Sequence, residues 1–524
     1  MTTLTLTLSP QQAASDAELR RLVGRELSLE PESIHSIQVR RRNIDARQRR
    51  ILVNLTLDVY LEGEAPAVDD FSDLVYPDVS SSPQAVVVGA GPCGLFAALR
   101  LIELGVRPFV VERGQDVMQR RKDLVQLEKT GLVDPESNYS FGEGGAGAFS
   151  DGKLYTRSRK RGSVEKILRV FCRFGADPKI LVDAHPHIGT DKLPIIIRRM
   201  REQILASGGE VHFGCRMEEL LLERGEVRGI VTADGRSFTG PVLLATGHSA
   251  RDVYRYLYGA GVLIEAKPIA VGVRLEHPQQ LIDQIRYHSP AGRGAYLPAA
   301  EYVYKAQVGG RGVYSFCMCP GGFVVPASTG PEETVVNGMS PANRGSRWAN
   351  SGMVVELHPE DISETGIAVE DPTSPLALMY WCQEFERRSY IAAECSLRAP
   401  AQRMTDFVKG RFSQSLPSSS YSMGLTPSAL HEWMPHFVAQ RLAEGFRAFD
   451  RSTRGFLTEE AQLIGVESRT SSPVRIPRDR ETYCHPVVTG LYPAGEGAGF
   501  AGGIVSAAID GENAAQQIAL ALGR

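Results

Sequence analysis

Residues 85–94 read AVVVGAGPCG, and this stretch decides the fold of the chain. Its apolar start predicts a buried parallel strand, and LFAALRLIEL (95–104) continues with apolar residues at helical spacing. Between them lies a G-x-G-x-x-G pattern. We expect Gly89 to permit the tight turn, Gly91 to admit a pyrophosphate, and Gly94 to let helix and strand pack closely. The stretch therefore predicts a dinucleotide site at a helix N-terminus.

A second apolar strand, Val106–Val111, ends in Glu112, where a carboxylate can accept hydrogen bonds from ribose hydroxyls. We assign Pro92, Cys93 and Arg113 to the same site, since they stand within the turn or directly after the acid. The alternative is a glycine-rich turn of some other α/β protein. The order of strand, glycine turn, helix, strand and acid favours the dinucleotide site.

Another glycine-rich turn stands near the C-terminus, where residues 490–503 read GLYPAGEGAGFAGG and a helix of small residues follows. Backbone N–H groups at such a turn point towards a ligand. Two such turns at opposite ends of one chain indicate a single extended cofactor with two polar regions. The contacts expected from the second turn are Gly495, Glu496, Gly502, Gly503 and Ile504.

Together the two motifs resemble the FAD-dependent oxidoreductases of the glutathione-reductase-like superfamily. More narrowly, four segments resemble the bacterial family of uncharacterised FAD-dependent, or NAD(FAD)-utilising, dehydrogenases: FGEGGAGAFSDGKL (141–154), LATGHSARD (244–252), FCMCPGG (316–322) and ESRTSSPVRIPRD (467–479). The resemblance implies FAD as the cofactor, with the C-terminal motif along the ribityl chain and the following helix aimed at the flavin O2. It also implies that Thr246 and Gly247 pass near the adenosine, although an ordinary strand-to-helix turn is the alternative there.

The glycine-rich segment 139–154 contains a further literal G-x-G-x-x-G, but no apolar strand precedes it, so the context of a nucleotide fold is missing. We interpret the segment as a loop that lies against the flavin ring and the pyrophosphate. Its expected contacts are Gly144, Gly145, Ser150 and Lys153. A flexible surface loop is the alternative.

Candidate catalytic residues stand close to these segments. Tyr483 and His485 precede the second glycine turn, Arg469 lies upstream of them, and Arg274 stands on a strand expected to border the flavin. An arginine could hold a substrate carboxylate, and a histidine could take a proton as hydride leaves. Each of the four could also be a structural group.

Two cysteines, Cys317 and Cys319, form a C-x-C pair in a strand-like run. Residues at i and i+2 of a strand point to the same face, yet a disulfide at this spacing would be strained. Metal binding would need further ligands at suitable spacing, which the sequence lacks. We expect structural or pocket-lining thiols and no obligatory redox pair, while a redox role stays open.

The length of 524 residues predicts two or three domains. We expect an α/β fold, with a Rossmann-like FAD-binding domain, an inserted α+β substrate domain and a small N-terminal β-α-β-β module. The predicted boundaries are 1–62 for the module, 63–83 for a linker, 84–266 with 461–524 for the FAD-binding domain, and 267–460 for the substrate domain.

The composition narrows the class of protein further. A net charge of −3 gives no reason to expect nucleic acid, and we interpret the basic clusters at 40–50 and 157–161 as solvated faces. No apolar run approaches the ~20 residues that span a bilayer. The N-terminus lacks the order of a signal peptide, and the eight cysteines form no disulfide framework. We therefore expect a cytoplasmic protein, of open oligomeric state.

The sequence thus predicts an enzyme that transfers hydride between a small organic substrate and non-covalently bound FAD, as a dehydrogenase or an oxidase. A flavin monooxygenase is one alternative, although it would normally carry Gly-Asp where this chain has Gly495-Glu496. An NAD(P)H-dependent reductase is another, although no second glycine motif stands in strand–turn–helix context. NAD(P)H as an external reductant and O2 as an acceptor stay open. A flavin-stabilised binding or scaffold protein is the alternative from a different class.

Overall fold

A computed structural model describes residues 1–66, 69–156 and 161–524; residues 157–160 of the second basic cluster lie outside this range. The N-terminal module is a three-stranded antiparallel sheet, in the order β1-β3-β2, covered by two helices. This is the β-α-β-β order that the sequence predicts. Its elements are β1 (Thr2–Leu8), α1 (Pro10–Ala13), α2 (Asp16–Leu27), β2 (Ile34–Asp45) and β3 (Leu52–Leu61).

A five-stranded parallel sheet forms the centre of the next unit, in the order β22-β10-β4-β5-β6. Its three central positions are occupied by short apolar strands. They are buried because helices cover one face, while a helix and a small three-stranded antiparallel sheet cover the other. The elements up to residue 259 are β4 (Gln84–Val88), α3 (Pro92–Glu103), β5 (Arg107–Val111), α4 (Val117–Thr130), α5 (Val164–Arg173), α6 (Leu193–Ala206), β6 (Glu210–His212), β7 (Met217–Glu223), β8 (Glu226–Thr232), β9 (Ser237–Thr239), β10 (Val242–Leu244) and α7 (Arg251–Gly259).

The strand order reverses at β4. The chain moves from β4 through α3 to β5 on one side, and it later returns as β10 on the other side. In open parallel sheets, ligands bind beyond the carboxyl ends of the strands at such a switch point. The first glycine turn, Glu112, the Thr246-Gly247 turn and the C-terminal glycine turn follow the carboxyl ends of β4, β5, β10 and β22 respectively. The topology therefore brings the predicted cofactor segments to one edge of one sheet.

The second large unit is built on a seven-stranded sheet in the order β13-β14-β17-β12-β20-β18-β19, antiparallel except for β18 with β19. Helices α9 and α12 pack against it around Trp381 and Phe446. Its elements are β11 (Glu265–Ala266), β12 (Ile269–Pro278), α8 (Gln279–Tyr287), β13 (Lys305–Val308), β14 (Arg311–Cys319), β15 (Phe323–Pro326), β16 (Val336–Met339), β17 (Trp348–Leu357), α9 (Ala377–Ala392), β18 (Ala399–Arg403), α10 (Met404–Lys409), β19 (Leu425–Pro427), α11 (Leu430–Trp433), α12 (His436–Ser452) and β20 (Gln462–Glu467).

The chain then returns to the parallel sheet through β21 (Val474–Arg475), β22 (Leu491–Pro493) and α13 (Ile504–Ala521). Strand β20 pairs with β12 and β18, so residues 462–467 belong to the second sheet and not to the FAD-binding unit. We therefore propose that the return begins after residue 467 and not at 461. Among the described residues, no helix combines the length and the apolar character that crossing a membrane requires.

Candidate functional site

The three glycines of the first turn differ in what surrounds them. Gly89 has a φ of +104°, and a Cβ there would come within 2.4 Å of the Ala245 carbonyl oxygen. A Cβ on Gly94 would come within 1.8 Å of the Gly89 carbonyl oxygen. Both positions therefore need glycine for the turn itself and for close packing. At Gly91, by contrast, a Cβ would meet only the Gly145 Cα at 3.9 Å, because the space beyond it is open.

Two helix N-termini face this open space. Helix α3 begins after Gly91 and α13 begins after Gly503, and neither helix has a side-chain cap among the described residues. The first-turn N–H groups of an α-helix lack partners within the helix, so they attract anions and polar ligand atoms. A Cβ on Gly502 would have no heavy atom within 4 Å. Both glycine turns thus leave open space that a side chain would fill and that the extended chain of a cofactor can occupy.

The Glu112 carboxylate joins three separate backbone segments. Its Oε2 accepts from the Ala90 N–H at 2.8 Å, and its Oε1 accepts from the N–H groups of Gly114 at 2.9 Å and Gly142 at 3.0 Å. The side chain is buried and borders the central cavity. A carboxylate offers about four acceptor positions, so one remains for a ribose hydroxyl. Glu112 is therefore first of all the group that holds the glycine turn against the loop at 138–147.

That loop is buried, so it is not the flexible surface loop that the sequence left as an alternative. The fully buried Arg120 of α4 donates to the carbonyls of Asn138, Glu143 and Gly145 at 2.7–2.9 Å. The Gly144 N–H donates to the Ala90 carbonyl at 2.8 Å and so fastens the loop to the first glycine turn. Burial lowers the pKa of Arg120 to about 10, which leaves the guanidinium charged at neutral pH.

The C-terminal turn is held by a buried ion pair. Arg478 donates to the Pro493 carbonyl at 2.7 Å and to Asp510 on α13 at 2.9 Å, and Asp510 accepts from the Gly495 N–H at 2.8 Å. Helix α13 in turn packs closely on α3, since a Cβ on Gly511 would lie 2.1 Å from the Cys93 carbonyl oxygen. The two glycine turns therefore form one rigid assembly around the open space.

A central cavity of about 370 Å³ lies between these segments and the second sheet. This volume falls within the range of about 300–1,000 Å³ that small-molecule and cofactor sites occupy. Its lining includes Gly91, Glu112 and 215–217 of the parallel-sheet unit, Ile504 of α13, and 316–317 of the second sheet. The cavity therefore lies between the parallel-sheet unit and the second unit. Among the described residues, no cluster of His, Cys, Asp or Glu could hold a metal ion.

Most of the predicted cofactor contacts border this cavity. Those that do are Gly89, Gly91, Pro92, Cys93, Glu112, Arg113, Gly145, Ser150, Lys153, Thr246, Gly247, Glu496, Gly502, Gly503 and Ile504. Three predicted contacts are absent from the lining that the described residues form: Gly94, Gly144 and Gly495. These three glycines belong to the backbone of the turns and do not border the cavity. Arg113 is held by Glu136 and Asp252, and its guanidinium lies 4.3 Å from the centre of the Phe141 ring.

Of the four predicted catalytic residues, only Arg469 borders the cavity. The His485 ring contacts the Leu263 carbonyl at 3.0 Å and accepts from the Val488 N–H at 3.0 Å. Tyr483 lies with its ring 4.0 Å from the Arg478 guanidinium. Both residues therefore support the polypeptide away from the cavity, and we do not carry them into the functional proposal.

The two arginines are engaged by protein groups, so neither is free to hold a substrate carboxylate. Arg274 is fully buried, pairs with Glu467 at 2.9 Å and donates to Asn350 at 2.8 Å. Arg469 pairs with Glu333 at 2.7 Å and Glu386 at 3.1 Å. Glu386 also pairs with Arg251 of α7, so this buried network links the second unit to the parallel-sheet unit. We infer that Arg469 positions the cavity wall.

The sequence reasoning missed several residues of the lining. His248 borders the cavity beside Glu496, 3.2 Å from its carboxylate, and contacts the Arg469 carbonyl at 3.0 Å. Phe316 comes from β14 of the seven-stranded sheet, and Asn337 comes from β16, which pairs with β15 as a separate two-stranded sheet. His248 directly follows Thr246-Gly247 in the sequence, so its position after that predicted cofactor turn could have indicated that it borders the cavity. Asn337 stands in a segment with no motif, and only the sheet pairing brings it to the cavity.

Comparison with known proteins identifies the class of protein. Residues 83–130 match the family "FAD binding domain", and residues 268–470 match "FAD-dependent protein, C-terminal domain-like". Residues 1–60 match a domain of unknown function, DUF8436. A Clostridium beijerinckii protein named "Uncharacterized protein" is 38% identical over 519 residues, which are 95% of this chain and 95% of that protein. The chain belongs to the same family as this protein. It is a flavoprotein, its cofactor is FAD, and its general class is flavin oxidoreductase.

The flavoprotein also has distant likenesses among solved structures. Tetracycline destructase Tet(51) is 10% identical, with a TM-score of 0.34, over 84% of this chain and 83% of that one. A geranylgeranyl bacteriochlorophyll reductase-like protein of Thermoplasma acidophilum is 13% identical, with a TM-score of 0.35, over 84% and 80%. Mycobacterium smegmatis Sdh1 is 14% identical, with a TM-score of 0.37, over 84% and 69%. Likenesses at these TM-scores support no inference about function.

Proposed function

We propose that the flavoprotein transfers a hydride between a small organic substrate and non-covalently bound FAD, as a dehydrogenase or an oxidase. The observation that carries this proposal is the central cavity, whose lining joins the uncapped N-terminus of α3 to residues of the second sheet. Bound FAD supplies a two-electron hydride acceptor or donor, and the protein supplies its orientation and electrostatics.

In this proposal the pyrophosphate of FAD lies against Gly91 and the N-terminus of α3. Glu112 and 215–217 would hold the adenosine, and Ile504 with 316–317 would border the flavin ring, since all of them line the cavity. The N-terminus of α13 then points its positive dipole end at the ring. This helix end would favour negative charge on a bound ring, because partial positive charge at a helix N-terminus attracts anions.

The substrate in this proposal occupies the ring end of the cavity, where the second unit contributes the lining. Phe316 offers an apolar face, and Asn337 and Lys153 offer polar groups. Lys153 donates to the Met318 carbonyl, so its ammonium group is positioned by the second sheet. A substrate with an apolar body and one polar group fits this lining.

Anaerobic reduction of the flavin tests the proposed reaction. Candidate organic reductants are screened in one series, and NADH and NADPH in a second. We expect one class of small organic reductants to bleach the visible flavin band within seconds. Rapid bleaching by a nicotinamide alone would instead identify a reductase or a monooxygenase. A flavin that dithionite reduces but no organic reductant or nicotinamide does would support the binding or scaffold alternative.

Non-covalent attachment of the cofactor is a separate expectation. The purified protein should be yellow, and precipitation with acid should leave the flavin in the supernatant. The physical reason is that the cavity holds FAD through backbone groups of the glycine turns and helix N-termini, which form no covalent bonds. A yellow pellet after repeated acid washing would contradict this prediction.

A further inference from the structure

The end of β14 carries a bulge beside the central cavity. Phe316 pairs with Gly352 of β17 and Cys319 pairs with Asn350, so two residues on β14 oppose one on β17. Cys317 stands within this bulge with a φ of +45°, in the left-handed region that non-glycine residues rarely adopt. The regular strand that the sequence predicted is therefore wrong at this point. Cys317 borders the cavity and Cys319 is fully buried, so the two cysteines are not equivalent.

The fully buried Arg274 of β12 contacts this bulge, and all five N–H donors of its guanidinium are engaged by protein groups. The acceptors are Asn350 at 2.8 Å from Nε, Glu467 at 2.9 Å and Asn337 at 3.3 Å from Nη1, and the Cys317 carbonyl at 2.7 Å and the Cys319 sulfur at 3.3 Å from Nη2. Arg274 therefore fixes the groups around it and leaves no donor for a substrate.

The side-chain amide of Asn337 has one orientation that satisfies its neighbours. Its Oδ1 accepts from Arg274 and also from the Gly338 N–H at 2.7 Å. Since both neighbours are donors, the amide atom between them must be the oxygen, and the amide nitrogen points away from them. Gly338 is pressed against the same cluster, because a Cβ there would lie 2.1 Å from the Arg274 guanidinium and from the Asn350 side-chain oxygen. The amide of Asn337 is therefore held in place.

The amide nitrogen of Asn337 is left as a hydrogen-bond donor at the cavity. Asn337 borders the cavity and is only partly buried. Within the part of the chain that the structure describes, its Nδ2 has no acceptor. It is open to solvent, whereas the Asn350 amide nitrogen is buried without a partner. The Nδ2–H group of Asn337 can therefore donate to a ligand oxygen.

A positive charge also borders this cavity. The Lys153 ammonium group donates to the carbonyl of Met318, which directly follows Cys317 in the bulge. The acidic groups of this region are engaged by other side chains, in the pairs Asp151–Arg344, Glu301–His185 and Glu467–Arg274. Among the residues that the structure describes, Lys153 forms no ion pair with a carboxylate. Its charge therefore remains available to an anionic ligand in the cavity.

We propose that Asn337 determines the class of substrate: its Nδ2–H group, together with the Lys153 ammonium group, binds the carboxylate of a small organic acid. This deepens the proposed hydride transfer and rests on it. A carboxylate oxygen only accepts hydrogen bonds, so it fits an N–H donor and an ammonium group, whereas an amine does not. Phe316, which borders the same cavity, provides an apolar contact for the body of the acid.

Equilibrium binding to the oxidised, FAD-containing protein tests this inference without turnover. Benzoate, phenylacetate and hexanoate are titrated into the protein at neutral pH in a calorimeter, and the neutral amides of the same three acids are the matched probes. We expect at least one acid to bind with a Kd below about 1 mM, and at least about tenfold more tightly than its amide. If none of the acids binds, or if each acid binds no better than its amide, the proposal is overturned.

Asn337→Asp isolates the donor, since it keeps an oxygen for Arg274 and the Gly338 N–H but replaces Nδ2–H by a second carboxylate oxygen. We expect it to weaken binding of the acid at least about thirtyfold, and Asn337→Ala, which adds no charge, to weaken it about tenfold. Asn343→Asp is the matched control, because Asn343 is exposed, accepts from the Gly345 N–H in the same way and lies outside the cavity lining. The control should bind the acid like the unaltered protein.

The visible spectrum shows that each variant is folded and contains FAD, and where Asn337→Asp does not retain FAD, Asn337→Ala decides by the same criterion. Unchanged affinity for the acid would overturn the proposal. If the ligand-free flavin spectrum shifts in that case, the donor contacts the flavin ring instead. Acid binding without flavin reduction in the bleaching screen would contradict the hydride transfer and leave the carboxylate site standing. Flavin reduction by a substrate without a carboxylate, at the same rate in Asn337→Asp, would do the reverse.

Discussion

Gly91→Val is expected to give a folded protein that purifies without FAD. The backbone of Gly91 has a φ of −74° and a ψ of −175°, which valine adopts without strain. Since a Cβ there would meet only the Gly145 Cα, at 3.9 Å, the side chain clashes with no protein group. It extends instead into the space proposed for the pyrophosphate. We expect FAD affinity to fall at least about a hundredfold, or about 3 kcal/mol.

The ratio of visible flavin absorbance to protein absorbance measures this loss, and titration of stripped protein with FAD gives the affinity. Gly259→Val is the matched control, because Gly259 also has open space around its Cβ position but stands at the end of α7 outside the cavity lining. The control should keep its flavin. Stoichiometric FAD in the Gly91→Val protein would remove the α3 N-terminus from the cofactor site.

Glu112→Ala should lower the free energy of unfolding by about 3 kcal/mol or more. The substitution leaves the N–H groups of Ala90, Gly114 and Gly142 without their acceptor, and each unsatisfied buried donor costs about 1–3 kcal/mol. FAD binding should weaken in addition, since the first glycine turn and the loop at 138–147 lose their common tie. Urea unfolding of flavin-stripped protein measures the change without a contribution from the cofactor.

Glu136→Ala provides the comparison for Glu112. Glu136 is partly exposed and pairs with Arg113 through side chains, so its loss should cost less than about 1 kcal/mol. Glu112→Gln keeps one amide oxygen as an acceptor and should fall between the two. Unfolding of Glu112→Ala at the same urea concentration as the unaltered protein would show that the three hydrogen bonds contribute little.

The parts of the site that sequence reasoning could predict are those with local causes. The first glycine turn is one, since a φ of +104° at Gly89 and the close packing of Gly94 are requirements of a short segment. The two helix N-termini and the order of elements in the N-terminal module are others. In each case the residues that determine the structure stand next to one another in the chain.

The parts that could not be predicted depend on partners far away in the chain. A carboxylate after a strand has the same pattern whether it binds ribose or, like Glu112, backbone N–H groups at 90, 114 and 142. The engagement of Arg469 by Glu333 and Glu386 is likewise invisible in a local motif. The bulge at Cys317 arises from the register of β14 against β17, which the C-x-C spacing does not contain.

The most direct test of the central claim is an electron-density map of the FAD-bound protein. We predict the pyrophosphate beside Gly91 at the N-terminus of α3, and the flavin ring between Ile504 and Cys317. Density for the ring beside Glu112 and 215–217, or for FAD outside this cavity, would contradict the account.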